Sequence, residues 1–485
     1  MSGRLGSMLE GVHPGWKGLI RGDPTIKTAL RTVVQELLAA QQLGHTIVPD
    51  VGHIFEAFRY FGPDDVSVVI VAQDPYYTVV TLPDGSTAMQ AQGLCFSCNP
   101  AVGKAQPSLR NICDAVVADL GCAPDQDKTT QTSETVAAMR ATLAQKGAEV
   151  NLHDLRFWAS QGVLLLNRAL TTVAGRAKAH TRPWSPFTAR LTALLCAHRA
   201  RSKSPVVFML WGGDAKNLET SIRQGAAEGG APYDFHRLLK WSHPSPMADN
   251  GRSLANNFMN CGHFRQTNAL LKAAALRPIV WLELPTLAAC DGSCLDNGGA
   301  HPRAGYGAVI AAGPLRGFTL SGAVEPFEYA WADPSDPLHG IRPVNHGDVG
   351  ELKPVPPSNN RGEYLAACYL LLVICRAGLT KRVEIVSDSN LFIQTMEEWL
   401  PKRRRKGTAG QLKNFDLVEI AERLLAIARS RAEVRLTHVR SHQPPPPQGT
   451  REYALWKVNG VADELAGGGV GQPARTIARP FWFPA

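Results

Sequence analysis

Three short runs in the first half of the chain are almost wholly apolar, and each stops abruptly. Ser67 to Ala72 gives way to Gln73-Asp74-Pro75-Tyr76, Gly162 to Leu166 gives way to Asn167, and Pro205 to Leu210 gives way to Trp211-Gly212-Gly213. A strand with one wet face alternates apolar and polar residues. A run that is apolar throughout must be buried on both faces, the condition inside a parallel sheet covered by helices. Helical stretches, Thr25 to Gln41 and Pro186 to Ala197, lie between the runs. Sheets of this kind place ligands beyond the carboxyl ends of their strands, so the residues that follow the runs are candidates for one crevice.

A second series begins after Leu284-Pro285. Thr286 to Cys290 leads into Asp291-Gly292-Ser293, Val383 to Val386 into Ser387-Asp388-Ser389, and Val434 to Thr437 into His438-Val439-Arg440-Ser441-His442. A helical stretch, Gly362 to Ala377, falls among them. The reading is two α/β domains, 1–284 and 285–485, joined without a Gly/Ser-rich linker. Segments 122–150, 312–357 and 443–452 read as insertions or loops, the last carrying Pro444 to Pro447.

The balance of 51 Lys and Arg against 42 Asp and Glu gives a formal charge of +9, which suits DNA, RNA or another anionic surface without deciding among them. Ten cysteines, many inside apolar runs, and no recognisable signal peptide point to reduced thiols and against secretion. Cys95 and Cys98 form an isolated C-x-x-C with no second pair, so no zinc site is expected there. No run approaches the roughly 20 apolar residues that span a bilayer, and no membrane partner is expected.

In the first series Asp74, Asn167 and His243, the last within Trp241-Ser242-His243-Pro244, join Phe96 of Gly93-Leu94-Cys95-Phe96-Ser97. A carboxylate, an amide, an imidazole and an aromatic ring suit cleavage of a base from its sugar. The ring stacks on the flipped base, the amide reads its edge, and the carboxylate supports water and the cationic sugar. Each residue alone has a plainer reading: Asp74-Pro75 as a turn, Asn167 as a helix cap, Phe96 as core. Together, Gln73-Asp74-Pro75-Tyr76, Gly93 to Ser97, Gly162 to Asn167, Leu210-Trp211-Gly212 and His243-Pro244-Ser245-Pro246 resemble family 1 uracil-DNA glycosylase, from about Trp16 to Leu284.

The resemblance implies uracil-containing DNA as substrate and no metal. Asp74 would orient water, and His243 would hydrogen-bond the uracil carbonyl as charge develops. Asn167 would read the base edge, Phe96 would stack beneath it, Tyr76 would exclude the thymine methyl, and Gln73 would line the pocket. Ser108 and Ser245 would contact phosphates, and Met247 would wedge into the base stack where the family has leucine. Ala72, Tyr77 and Ala248 depart from the family pattern, and the loop Thr78 to Gln92 is longer than usual.

The second series offers carboxylates: Asp291, Glu363, Asp388 and Asp463. Hard oxygens gathered by a fold bind Mg²⁺, and two such ions serve phosphodiester hydrolysis. The plainer reading makes Asn360-x-x-Glu363 a capping box and Asp388 a helix start. With Asn359-Asn360-Arg361-Gly362-Glu363 and His438 to His442, the set resembles type 1 ribonuclease H over roughly Leu287 to Gly469. That resemblance implies an RNA–DNA hybrid substrate and a four-carboxylate site for two Mg²⁺ ions, with Mn²⁺ as a substitute. His442 would assist proton transfer or product release, and Asn359 and Asn360 would lie near the RNA strand.

Lys402 to Lys406 coincides with the family's basic substrate-handling region, and as a charge run it also suits nuclear import in a eukaryotic or viral setting. Without such a host the expectation is a cytoplasmic protein. The competing reading is a DNA-binding replication accessory or processivity factor, working with replication proteins, in which only one half is catalytic.

Overall fold

The computed structural model describes residues 8–82, 84–102, 106–120, 131–145, 153–324, 357–377, 379, 381–441 and 443–470. It divides into two compact units, Met1–Leu282 and Glu283–Ala485.

In the first unit all three apolar runs are strands, and a fourth joins them. With β1 Val68–Ala72, β2 Val79–Thr81, β3 Thr87–Met89, β4 Val163–Asn167, β5 Val207–Trp211 and β6 Arg237–Trp241, the central sheet has the order β4-β1-β5-β6. Every pairing in it is parallel. Strands β1, β4 and β5 are buried at every position, as their composition requires. The amphipathic helix α1 (Pro24–Gln42), capped by the Asp23 carboxylate on Ile26 N–H, packs against the long helix α3 (Thr181–Arg201). Helix α2 spans Pro107–Leu120.

Pro186 lies inside α3, whereas the sequence reading starts that helix at Pro186. An interior proline removes one backbone hydrogen bond, so burial outweighs the local penalty here. Trp184 and Phe187 on this helix pack against Phe55 with ring centroids 5.9–6.0 Å apart. Burying each such ring is worth roughly 1.5–3 kcal/mol. The long loop after Tyr77 contains a small antiparallel hairpin, β2–β3, with Val79 opposite Met89.

The second unit has β7 Thr286–Leu295, β8 Arg303–Ala312, β9 Thr319–Ala323, β10 Val383–Ser387 and β11 Val434–His438, in the order β9-β8-β7-β10-β11. Strands β9, β8 and β7 pair antiparallel, while β7, β10 and β11 pair parallel. Helices α6 (Asn359–Arg376) and α8 (Arg451–Gly469) pack against the sheet, and α7 (Phe415–Arg429) packs on α6; α4 (Glu219–Glu228) and α5 (His263–Ala273) belong to the first unit.

Glycines set how closely these helices approach. A Cβ on Gly307 would lie 2.4 Å from Ala462 O and Ala466 N of α8, and one on Gly292 would lie 2.3 Å from Glu363 N of α6. Ala289, Val309, Val386, Leu455, Val458 and Ala462 form the core beneath α8.

Two local expectations are corrected. Asp291 lies within β7, not at its end, because β8 continues pairing as far as Arg303 opposite Leu295. Helix α6 begins at Asn359 instead of Gly362, because the Ser358 hydroxyl caps Arg361 N–H; Glu363 therefore sits one turn in, and Asn360 is not the capping residue. Residues 325–356 of the expected insertion, and His442, lie outside the described residues.

Candidate active sites

The polar residues of the first unit gather at the carboxyl ends of its parallel strands. Asn167 closes β4 opposite Ala72, the last residue of β1, and Gln73 and Asp74 follow directly. His243 follows β6, and Gly212 follows β5. Gly212 has φ 83°, and a Cβ there would stand 3.1 Å from His243 Cβ, so glycine makes room for the imidazole.

Asp74 accepts two hydrogen bonds: from Gln73 Nε2 to Oδ1 at 2.7 Å, and from Lys178 N–H to Oδ2 at 2.6 Å. His243 Nδ1 accepts from Ser245 N–H at 3.1 Å. A neutral ring so engaged carries its proton on Nε2. Burial lowers the His243 pKa from its usual value, opposed by the charge of Asp214. The ring is therefore a neutral donor at physiological pH.

Phe96 lies 6.2 Å from the His243 ring and 5.8 Å from Trp211 between centroids. Its backbone is left-handed, φ 61°, and its carbonyl accepts from Tyr76 Oη at 3.3 Å. Burial pushes the Tyr76 phenol up, so it remains protonated. Asn167 is 3% exposed, and its buried Oδ1 has no hydrogen-bond partner among the described residues. A buried carbonyl without a donor costs about 1–3 kcal/mol, a cost that a ligand N–H would relieve.

Ser108 lies on α2, and the Pro246–Asp249 turn after Ser245 packs on that helix, with Met247 88% exposed. Ala72 is buried and Tyr77 exposed. The two cysteines of the C-x-x-C diverge: Cys95 donates to Ile70 O, whereas Cys98 Sγ lies 3.4 Å from His153 Nδ1, a histidine remote in sequence.

In the second unit the carboxylates of Asp291, Glu363 and Asp388 bring oxygens within 4.8 Å of one another. Asp291 and Glu363 are buried and Asp388 half-buried just past β10. Burial above all pushes Asp291 and Glu363 above the usual carboxylate range; the charge of Asp388 raises both and that of Asp291 raises Glu363, whereas a hydrogen bond with Glu363 holds Asp291 back. Asp463 lies outside the triad, exposed on α8, yet its charge also raises Asp291. Among the described residues no donor lies within hydrogen-bond geometry of the buried Glu363 Oε2, on a carboxylate close to the neighbouring acids. Adjacent acids with an unfilled oxygen fit a divalent cation, whose charge would reverse their repulsion.

Asn359 donates to Glu363 Oε1 at 3.4 Å, while Asn360 is exposed. Arg361, buried between them and Glu363 in sequence, forks onto Asp416 at 2.8 and 3.2 Å and ties α6 to α7. The basic run forms the short helix Leu400–Arg405, where Arg404 pairs with Glu422 and Lys402 with Glu398. Sequence reasoning missed Lys178, Asp214 and Arg168 around Asp74. Their ion pairs join segments distant along the chain, and no motif marks them.

A parallel sheet with a carboxylate, an imidazole and an amide at its strand ends, followed by a mixed sheet with clustered acids, defines a two-domain nucleic-acid hydrolase. The chain belongs to the uracil-DNA glycosylase family and carries a C-terminal ribonuclease H domain. The family model described as the uracil DNA glycosylase superfamily matches residues 58–272, and the one described as RNase H matches 340–470. A uracil-DNA glycosylase of Vibrio cholerae is 32% identical over 268 residues, 55% of this chain and 95% of its own. One from Xanthomonas axonopodis pv. citri is 34% identical over 282 residues, 58% of this chain and 94% of its own. Among solved structures, mimivirus uracil-DNA glycosylase aligns at 22% identity over 55% of this chain and 84% of its own, with a TM-score of 0.39.

Proposed function

We propose that the first unit hydrolyses the N-glycosidic bond of uracil in DNA and the second cleaves the RNA strand of RNA–DNA hybrids. The buried Asn167 Oδ1 at the end of β4, without a donor among the described residues, is the observation that carries the first half. The uracil N3–H would satisfy it, while Phe96 stacks on the ring. Neutral His243 would donate from Nε2 to the base carbonyl as negative charge builds there, a stabilisation that costs no proton transfer. Asp74, whose two oxygens accept from Gln73 Nε2 and the Lys178 amide, would orient water and face the cationic sugar. Tyr76 would exclude the thymine methyl, Ser108 and Ser245 would grip phosphates, and Met247 would fill the stack.

In the second unit Asp291, Glu363 and Asp388 would hold Mg²⁺, with Asp463 drawn in from α8. Two Mg²⁺ ions held there, for which Mn²⁺ would substitute, would supply an activated water and charge neutralisation at the leaving oxygen. Asn359 and Asn360 would meet the RNA strand, His442 would move protons, and the basic side chains of Lys402 to Lys406 would follow the hybrid backbone. Replication proteins would be partners through shared DNA, and the basic run would direct the protein to a nucleus in a eukaryotic host. Uracil release from DNA and Mg²⁺-dependent hybrid cleavage test the two halves. A protein that binds DNA and does neither would be an accessory factor.

A further inference from the structure

Asp74 is held from one side by the loop that follows Asn167, through the Lys178 amide. Arg168 N–H donates to Ala72 O, Ala169 N–H to Gln73 O, and Gly175 N–H to Tyr77 O, at 2.9–3.0 Å. The segment from Arg168 to Lys178 thus runs along the Asp74 loop and ends with the Lys178 amide on Asp74 Oδ2. Lys178 adopts a left-handed backbone, φ 62°, unusual for a residue with a long side chain.

The Lys178 side chain is 60% exposed, and its ammonium lies 3.4 Å from Asp214 Oδ2. Asp214 already serves a second cation: Arg168 Nη1 donates to its backbone carbonyl at 3.0 Å and lies 3.7 Å from its carboxylate. An exposed pair held at that distance is weak and easily exchanged. A nucleotide whose sugar faces Asp74 carries a phosphate on either side, and these are the anions that substrate brings nearest to Lys178. The other groups assigned to phosphates, Ser108 and Ser245, are uncharged.

We propose that Lys178 is a phosphate-contacting positioning residue. On binding DNA its ammonium leaves Asp214 for a backbone phosphate beside the flipped nucleotide, and the same residue's amide keeps Asp74 Oδ2 aligned. The site would thus join grip on the backbone to the setting of the carboxylate. The proposal rests on the glycosylase reading of this unit.

The test is uracil release from duplex DNA across a salt series by the full chain and its Lys178→Gln, Lys178→Arg and Asp214→Asn variants. Each Lys178 variant keeps a Cβ, so the strain at this position is unchanged. Lys178→Gln should raise KM about tenfold at low salt, and the dependence of log KM on log salt should flatten by about 0.9, the signature of one lost phosphate contact. Lys178→Arg should restore both, and Asp214→Asn should lower KM by freeing the ammonium. An unchanged salt slope in Lys178→Gln overturns the proposal, including when kcat alone falls, since that marks a loop-geometry role. If the wild type releases no uracil, the glycosylase reading fails; anisotropy of the same uncleaved duplex then yields the slopes that decide Lys178.

Discussion

The backbone N–H of Ser245 donates to Nδ1 of His243 at 3.1 Å, and that one bond selects the ring's tautomer. With Nδ1 accepting, the neutral ring carries its proton on Nε2. Burial lowers the His243 pKa below its usual 6.5, so the neutral donor persists on mild acidification. Because the fold disfavours the protonated ring, the site's contribution to stability is intact above the unfolded value and declines as pH falls below it. Titration of the His243 ring by NMR should show a midpoint below 6.5. His243→Leu should slow uracil release by about 10²–10³-fold.

The buried Asn167 Oδ1, without a donor among the described residues, is a cost to stability that a ligand N–H would relieve. Replacing Asn167 with leucine removes that carbonyl. Thermal unfolding should show a Tm equal to or above that of the wild type, while uracil release is lost. A large drop in Tm would place Asn167 in a structural role.

The three close carboxylates should make the second unit sensitive to Mg²⁺ and pH. Asp291 is pushed up to about 8, so the ion-free fold favours its protonated form. Its destabilising contribution grows as pH rises from the unfolded value of 3.8 and levels off above 8. Mg²⁺ should raise the melting temperature of this unit more at pH 8 than at pH 5. Asp291→Asn should raise the ion-free melting temperature and abolish most of the Mg²⁺ response, read by calorimetry.

Gly292 lets β7 meet the first turn of α6. A methyl at this position would lie 2.3 Å from Glu363 N, so Gly292→Ala should cost about 1–3 kcal/mol and displace Glu363 from Asp291. Hybrid cleavage should fall while uracil release is untouched.

The first sheet was legible because three of its strands are almost wholly apolar, and β1 and β4 give way to polar residues at their carboxyl ends. The apolar runs of β1 and β4 stop at Gln73 and Asn167, and the sheet brings those ends side by side. Asp291 was legible as chemistry and misplaced as geometry, since antiparallel pairing to Gly307 carries the strand past it. Glu363 was shifted by a serine cap that the Asn360 pattern obscured. The hairpin β2–β3 had no strong alternation, with only Ala88 buried among its six strand residues. Lys178, Asp214 and Arg168 left no local trace, because their meaning depends on which loops the fold lays together.

The central claim is two independent active sites on one chain. The most direct measurement pairs a uracil-containing duplex and an RNA–DNA hybrid with the wild type, Asp74→Asn and Asp291→Asn, with and without EDTA. Uracil release should fall by about 10²–10⁴-fold in Asp74→Asn alone and persist in EDTA. Hybrid cleavage should vanish in Asp291→Asn and in EDTA while persisting in Asp74→Asn. A wild-type protein that binds both substrates and transforms only one, or neither, would contradict the account.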